Sequence, residues 1–151
     1  MKDSKLEKNK EIVRHFFELG NKKDTAARDK MYTDDAVLIT TPRYLPFWSG
    51  PHDREEIRKL EEAVKTYPKF EMVIKTLTAE EDRVAVEVES FAETQEGKIY
   101  NNQYHFLITL RDGKIAKFQE FFDNIHAAIR LCGLGTDYDL DSEGNFIPRK
   151  K

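Results

Sequence analysis

The chain has 151 residues, of which 39% are hydrophobic and 35% are charged, and this length suits one domain with one hydrophobic core. Its 25 basic and 28 acidic residues are well mixed and leave a net charge of −3, so no basic surface for nucleic acid is expected. Residues 1–10 lack an apolar signal segment, no apolar run is long enough to span a bilayer, and Cys132 has no second cysteine to pair with. We therefore expect a cytoplasmic protein with neither a nucleic-acid nor a membrane partner.

Three helices are predicted in the first half of the chain. Apolar residues recur at helical spacing over 6–19, which predicts an amphipathic helix. A second, short helix is predicted over 25–31. Asp53 is placed to cap a third helix that runs to about residue 66, and Glu56 at its third position completes a capping box.

The rest of the chain is predicted to be mainly β-strand. A strand over 36–41 is followed by a proline-rich loop at 42–51. Alternating apolar and polar side chains predict long strands at 70–78, 83–94, 104–110 and 115–122. A last helical segment over 124–131 precedes a polar, irregular tail. The sequence thus predicts one α+β domain over 1–132, with a curved and mostly antiparallel sheet, and a tail over 133–151.

The turn at 112–113 sets the predicted register of the last two strands. Asp-Gly between two apolar runs is typical of a type I′ hairpin turn, because both central residues need a positive φ. If Leu110 pairs with Ile115, then His105 lies directly opposite Glu120. An imidazole and a carboxylate would then lie side by side on an apolar face.

A second predicted turn, at 96–97, gives a register that agrees with the first. It places Val88 opposite His105, on the face that is expected to point towards the helices. The opposite face would then carry Tyr104, Phe106, Ile108 and Phe121 among charged side chains. So many apolar groups on an outer face predict a homodimer that packs through this face of the sheet.

Several strings of the sequence resemble a known superfamily. The strings HFFELGN at 15–21 and MYTDDAV at 31–37 are similar to the opening of nuclear transport factor 2-like proteins. The strings YNNQYHF at 100–106, DGKI at 112–115 and QEFFD at 119–123 resemble the SnoaL-like polyketide cyclase and ketosteroid isomerase-like branch. The last two strings, with the tail residues Gly144, Ile147 and Pro148, also resemble small phenazine-biosynthesis condensing proteins.

The resemblance implies a cone-shaped, cystatin-like α+β barrel, in which helices pack on the concave face of the sheet and a ligand pocket lies between them. Dimers packed through the sheet are usual in this superfamily. Its activities include ketosteroid isomerisation, aldol cyclisation, dehydration, epoxide hydrolysis and amine condensation. Most of them use one or two acid/base side chains in an apolar pocket, so the resemblance implies no metal and no cofactor.

The resemblance also assigns roles to individual positions. Glu120 aligns with the acid/base glutamate of the phenazine-type proteins, and His105 with the oxyanion-hole aspartic acid of the isomerases. Phe16 stands where the isomerases have a tyrosine, and Thr40 lies near the position of their base. Glu62 stands where the phenazine-type proteins have an active-site histidine.

Three residues are predicted to be catalytic. Burial of Glu120 between apolar neighbours favours a protonated carboxyl, which suits a general acid or base. His105 would orient this carboxyl or stabilise an oxyanion, although the two residues could equally form a structural pair. Asp123 faces away by strict strand alternation, but a bulge could turn it inward.

Further residues are predicted to contact the ligand. The proline-rich loop supplies aromatic side chains that would act either as a lid or as an anchor of the loop, and Glu62 would either reach the pocket or remain a solvated helix charge. The predicted contacts are Tyr32, Tyr44, Phe47, Trp48, Phe16, Glu62, Val88, Gln103, Phe118 and Phe122.

These features predict a cofactor-free acid/base enzyme of the isomerase, cyclase or dehydratase type. Its small-molecule substrate would be mainly apolar, and aromatic or polyketide-like. Two alternatives remain open. One is a non-catalytic module for ligand binding or dimerisation, and the other is an epoxide or ester hydrolase that would need a second carboxylate near Glu120.

Overall fold

The computed structural model describes residues 2–43, 45 and 49–150. The helices in this part of the chain are α1 (Lys2–Asn21), α2 (Thr25–Met31), α3 (Arg54–Lys65) and α4 (Asn124–Leu131). The strands are β1 (Tyr32–Thr40), β2 (Gly50–His52), β3 (Lys69–Glu80), β4 (Arg83–Glu93), β5 (Ile99–Arg111), β6 (Lys114–Phe122), β7 (Tyr138–Leu140) and β8 (Phe146–Pro148). No helix in the described part of the chain is long and apolar enough to cross a membrane.

The main sheet has six strands in the order β2-β1-β6-β5-β4-β3. Only the β1–β6 pairing is parallel, and the other neighbours are antiparallel. Helix α1 packs across β3 and β4, and α3 packs against β1, so the helices cover one face of the curved sheet. This architecture confirms the predicted α+β class. The core between the two layers contains Val13, Phe16, Ile57, Val84, Val86, Phe106, Ile108 and Ile115.

Helix α3 begins as predicted. The Asp53 side chain accepts hydrogen bonds from the backbone N–H groups of Glu55 and Glu56 at 2.9 and 3.0 Å. The Glu56 carboxylate in turn accepts from the Asp53 backbone N–H at 3.0 Å, which completes the capping box. The cap satisfies backbone N–H groups of the first turn and so stabilises the start of α3.

The turn between β5 and β6 is confirmed, but the predicted register beyond it is wrong. Asp112 and Gly113 have φ values of 53° and 75°, and Leu110 pairs with Ile115. The next pair is then Thr109 with Lys117, so Ala116 is an extra residue that forms a β-bulge. Every later pair is shifted by one residue. Because side chains alternate along a strand, this shift puts on opposite faces of the sheet those side chains of β5 and β6 that were predicted to share one face.

The bulge separates the two residues that were predicted to form a pair. Glu120 lies opposite Phe106, and His105 lies opposite Phe121. Because successive side chains of a strand point to opposite faces, Glu120 points towards the helices and His105 points away from them.

The register between β4 and β5 also differs from the predicted one by one residue. The predicted two-residue turn is wrong, because Glu93 pairs with Ile99 and the loop between the strands carries Gly97 at a φ of 75°. The Thr94 N–H bonds to the carbonyl of Lys98 at 2.9 Å, which leaves three residues in the loop. Val88 therefore lies opposite Tyr104 instead of His105.

These two shifts also correct the predicted composition of the outer face. Tyr104, Phe106 and Ile108 face the helices and belong to the core or pack against it. Of the four apolar residues expected outside, only Phe121 lies there, with 44% of its surface exposed. Homodimerisation through this face stays a prediction.

The C-terminal tail is more regular than predicted. Strands β7 and β8 form a short antiparallel hairpin. In its turn, the Asp141 side chain accepts hydrogen bonds from the backbone N–H groups of Glu143 and Asn145 at 2.9 and 2.8 Å. Phe146 packs against a cluster of buried residues that includes Tyr100 and Ala127, so the hairpin is held on the domain.

Candidate functional site

A cavity of about 150 Å³ lies between the sheet and the helices. Its walls are mainly apolar, with Phe17, Leu60, Val64, Phe70, Met72, Phe118 and Phe122 among the lining residues. Polar side chains reach it from both layers. Glu120, Tyr100 and Tyr104 come from the sheet, and Arg28 and Glu61 come from the helices. A few convergent polar groups in an apolar cavity are typical of a small-molecule site.

Glu120 is a buried carboxylate with only 8% of its surface exposed. It is the Cα partner of Thr40 across the parallel strands β6 and β1. The Thr40 hydroxyl donates a hydrogen bond to Glu120 Oε1 at 2.7 Å. This bond satisfies part of the carboxylate's hydrogen-bonding capacity and fixes its orientation at the cavity wall.

His52 extends this contact towards the surface. Its Nε2 lies 3.4 Å from Thr40 Oγ1, and its Nδ1 lies 3.9 Å from a carboxylate oxygen of Glu56. Because the Thr40 hydroxyl donates to Glu120, its oxygen is available to accept from a protonated Nε2. Thr40 and His52 were not predicted as site residues, because only the pairing of β1 with both β2 and β6 brings them to Glu120.

Two tyrosines form a second polar group on the sheet side of the cavity. Asn102 Nδ2 donates to Tyr100 Oη at 2.7 Å and to the Asp123 carbonyl at 3.0 Å. Asn102 Oδ1 accepts from the Gln103 N–H at 2.7 Å, which fixes the amide orientation. The hydroxyl groups of Tyr100 and Tyr104 lie 3.0 Å apart.

This arrangement leaves a hydrogen-bond donor for a ligand. The bond between Tyr100 and Tyr104 uses one of the two phenol hydrogens, and neither phenol donates a hydrogen bond to any other residue that the structure describes. Burial raises the pKa of Tyr100 and raises that of Tyr104 well above its usual value. Both phenols therefore stay protonated at neutral pH and can donate to an oxyanion.

A third polar group lies on the helix side. The Tyr32 hydroxyl donates to Glu61 Oε1 at 3.2 Å, and Arg28 Nε lies 3.6 Å from the same oxygen. Burial raises the pKa of Glu61, although the positive charge of Arg28 acts in the opposite direction. Burial also raises the pKa of Tyr32 far above its ordinary value. Arg28 and Glu61 were not predicted as site residues.

The structure brings some of the predicted ligand contacts to the cavity. Tyr32, Phe118, Phe122 and Glu120 line it. Phe16 and Val88 are core residues and are not part of its lining. Tyr44, Phe47 and Trp48 lie outside the described residues.

Four other predicted residues lie away from the cavity. His105 and Gln103 are exposed on the outer face of the sheet. The Asp123 side chain caps α4 by accepting from the His126 N–H at 2.9 Å, so no bulge turns it inward. The Glu62 side chain is 59% exposed and bonds to Thr25 and Lys65.

The fold and the cavity define a small α+β barrel with a buried site between a curved sheet and its helices. The sequence matches the SnoaL-like domain family over residues 13–118, so the chain belongs to this family. The match confirms the predicted resemblance to SnoaL-like proteins. A comparison with curated proteins found no significant match.

Solved structures share this fold at low sequence identity. BvnE pinacolase from Penicillium brevicompactum superposes with a TM-score of 0.72 at 20% identity, over 84% of this chain and 96% of that chain. A candidate SnoaL-like polyketide cyclase from Jannaschia sp. CCS1 gives 0.68 at 17% identity, over 84% and 93%. A nuclear transport factor 2-like protein from Cytophaga hutchinsonii gives 0.61 at 19% identity, over 78% and 91%. These likenesses show the fold, and a shared fold does not determine which reaction a protein catalyses.

Proposed function

We propose that the cavity is the active site of a general acid/base enzyme of the isomerase, cyclase or dehydratase type, acting on a mainly apolar small molecule. One observation carries the proposal. A buried carboxylate, Glu120, is oriented by Thr40 at the wall of the same cavity that receives the hydroxyl groups of Tyr100 and Tyr104. Membership of the SnoaL-like family supports it.

The proposed step is enolisation of a carbonyl compound. The Glu120 carboxylate takes a proton from the carbon next to the carbonyl, and the electron pair of the broken C–H bond moves onto the carbonyl oxygen. The phenol hydrogen of the tyrosine pair donates to this oxygen as its negative charge develops. Return of the proton from Glu120 to another atom completes an isomerisation. In a cyclisation the enolate carbon attacks a second carbonyl carbon of the substrate, whose C–O π electrons move onto its oxygen, and this alkoxide takes the proton back from Glu120.

The Glu120 carboxylate and the phenol donor of the tyrosine pair contribute separately to the rate. A positioned general base contributes about 10²- to 10⁴-fold, and an oxyanion donor in a water-excluded site about 10²- to 10³-fold. The apolar walls strengthen both contributions, because they keep the local dielectric constant low.

Hydrogen–deuterium exchange tests the proposal without knowledge of the natural substrate. The probe is 2-indanone, an aromatic ketone, and NMR follows loss of its α-proton signal in deuterated buffer. We expect the protein to accelerate this exchange and Glu120→Gln, which keeps the shape of the side chain, to remove the acceleration. Glu62→Gln is the matched control, because Glu62 is exposed and lies outside the cavity. Full activity of Glu120→Gln, or no acceleration by the wild type, would contradict the proposal.

A non-catalytic ligand-binding protein is the second candidate function. The apolar lining of the cavity favours it, because such a cavity binds apolar molecules whether or not a reaction follows. The exchange experiment separates the two candidates. A protein that binds 2-indanone, detected by shifts of its amide signals, and does not accelerate exchange is a binding protein.

A further inference from the structure

We propose that Arg28 is the anchor for a carboxylate group of the substrate, so that the substrate class is a small apolar or aromatic carboxylic acid. This inference rests on the proposed function and names the substrate of the same site. The acid group would lie at the helix side of the cavity, and the reacting carbon at the sheet side near Glu120.

The guanidinium group of Arg28 is largely buried and has unused donors. Its side chain is 16% exposed and lines the cavity. Its Nε forms an ion pair with Glu61 Oε1 at 3.6 Å, a distance too long for a hydrogen bond, and this buried Nε has no hydrogen-bond partner. No hydrogen bond joins the rest of the guanidinium group to any other residue that the structure describes. A guanidinium group carries five N–H donors in a planar fork, and leaving them unpaired at a buried position is costly. A bound carboxylate would accept two of these hydrogen bonds in parallel.

Packing holds the guanidinium group in place. Arg28 Cζ lies 3.9 Å from the centre of the Phe16 ring, in a cation–π contact. On another side it lies against Gly20, where an added Cβ would come within 2.9 Å of Arg28 Nη1. The absence of a side chain at Gly20 therefore leaves space for this position of Arg28, and a preorganised group loses less entropy on binding a ligand.

The surrounding charges also favour an anion. The charged groups that act on Glu61 beside Arg28 are Arg54 and Asp29. Asp29 already accepts hydrogen bonds from Arg54 at 2.5 Å and from Arg58 at 2.8 Å. The ion pairs in this group thus involve three arginines, with Arg28 on Glu61 and with Arg54 and Arg58 on Asp29, and two carboxylates. Burial favours the neutral form of one of these carboxylates, Glu61. The cluster keeps an excess of positive charge at the helix side of the cavity.

Binding of benzoate and benzamide tests this assignment, since the two molecules have nearly the same shape and differ in charge. NMR titrations of the wild-type protein should show benzoate binding at least about tenfold more tightly than benzamide, because hydrogen bonds to a charged group are stronger than those to a neutral one. Arg28→Met should remove this preference. Arg28→Lys, which keeps the charge and loses the planar fork, should keep part of it.

Two further variants make the result specific. Arg14→Met is the matched control at an exposed position of α1, and it should leave the preference unchanged. Glu120→Gln should keep the preference for benzoate while it loses α-proton exchange, which separates this inference from the proposed function. Equal binding of the two probes by the wild type, no binding of either, or an unchanged preference in a folded Arg28→Met or Arg28→Lys protein would overturn the assignment.

Discussion

Thr40 and Glu120 are Cα partners on the parallel strands β1 and β6, and the Thr40 hydroxyl donates to the Glu120 carboxylate at 2.7 Å. Both residues are buried. Parallel pairing places two side chains of the same face next to each other, so the strand register itself positions the proposed base. Strand β1 therefore contributes to the site through the hydroxyl groups at its two ends, Thr40 beside Glu120 and Tyr32 beside Glu61.

Replacing Thr40 by valine tests this role. Thr40→Val keeps the shape of the side chain and leaves a buried carboxylate without one of its donors, which should lower the free energy of unfolding by about 1–3 kcal/mol. We also expect slower α-proton exchange, because the carboxylate is no longer held in one orientation. Chemical denaturation and the 2-indanone exchange rate measure the two effects.

Thr41→Val is the matched control for that variant. The Thr41 hydroxyl donates to the backbone carbonyl of Glu120 at 2.6 Å, and not to its carboxylate. Its loss should reduce stability and leave the exchange rate of the folded protein unchanged. Equal loss of exchange activity in both variants would contradict an orienting role for Thr40.

The tyrosine pair leads to a second prediction. Tyr100→Phe and Tyr104→Phe each remove one hydroxyl of the pair, and we expect the variant that loses the donor to the substrate to slow exchange about 10²- to 10³-fold. Since the pKa of each phenol is raised, the tyrosines of the wild type should add no ionisation to the rate profile near neutral pH. Rates measured from pH 6 to pH 9 check this. Unchanged rates in both variants would remove the pair from the proposed mechanism.

The fold could be predicted from the sequence, because the sequence signals for its helices and turns each lie within a short segment of the chain. The capping box at Asp53, the periodicity of α1 and the Asp112-Gly113 turn each depend on a few neighbouring residues. The register could not be predicted, because the bulge at Ala116 and the three-residue loop at Gly97 have no strong local signal. Two predicted registers agreed with each other and were both wrong by one residue.

The partners of Glu120 could not be predicted for a related reason. Thr40, His52 and Glu120 meet because β1 pairs with both β2 and β6. Strand β6 is far in the sequence from the other two strands. Similarly, Arg28 and Glu61 meet across two helices, and each alone is an ordinary charged helix residue. Glu62, the neighbour that was predicted, lies on the exposed side of the same helix.

The histidine at the site, His52, and the histidine that was predicted there, His105, lead to a third prediction. His52→Leu removes the group beside the Thr40 hydroxyl and should slow α-proton exchange, whereas His105→Ala changes only an exposed side chain on the outer face. The free energy of unfolding of His105→Ala should lie within about 0.5 kcal/mol of the wild-type value. A loss of exchange activity in His105→Ala together with a fully active His52→Leu would contradict the placement of His52 at the active site and of His105 outside it.

Adjacent glutamates of α3 should respond to pH with opposite sign. Burial raises the pKa of Glu61 above its ordinary value of 4.5, against the opposing charge of Arg28. A raised pKa in the folded state means that the contribution of Glu61 to stability is fully present below pH 4.5 and is lost as the pH rises through the folded-state pKa. Glu61→Gln should therefore gain stability relative to the wild type as the pH rises from 4 to 8 in denaturation experiments.

Glu62→Gln should behave in the opposite way. Hydrogen bonds from Thr25 and Lys65 lower the pKa of Glu62 below 4.5, so its contribution is present above pH 4.5 and is lost as the pH falls through the folded-state pKa. The variant should therefore lose stability relative to the wild type as the pH rises, with a small amplitude because the side chain is exposed and screened by solvent. The same pH trend in both variants would mean that the two carboxylates share one environment, and it would contradict the placement of Glu61 in the cavity wall and of Glu62 outside it.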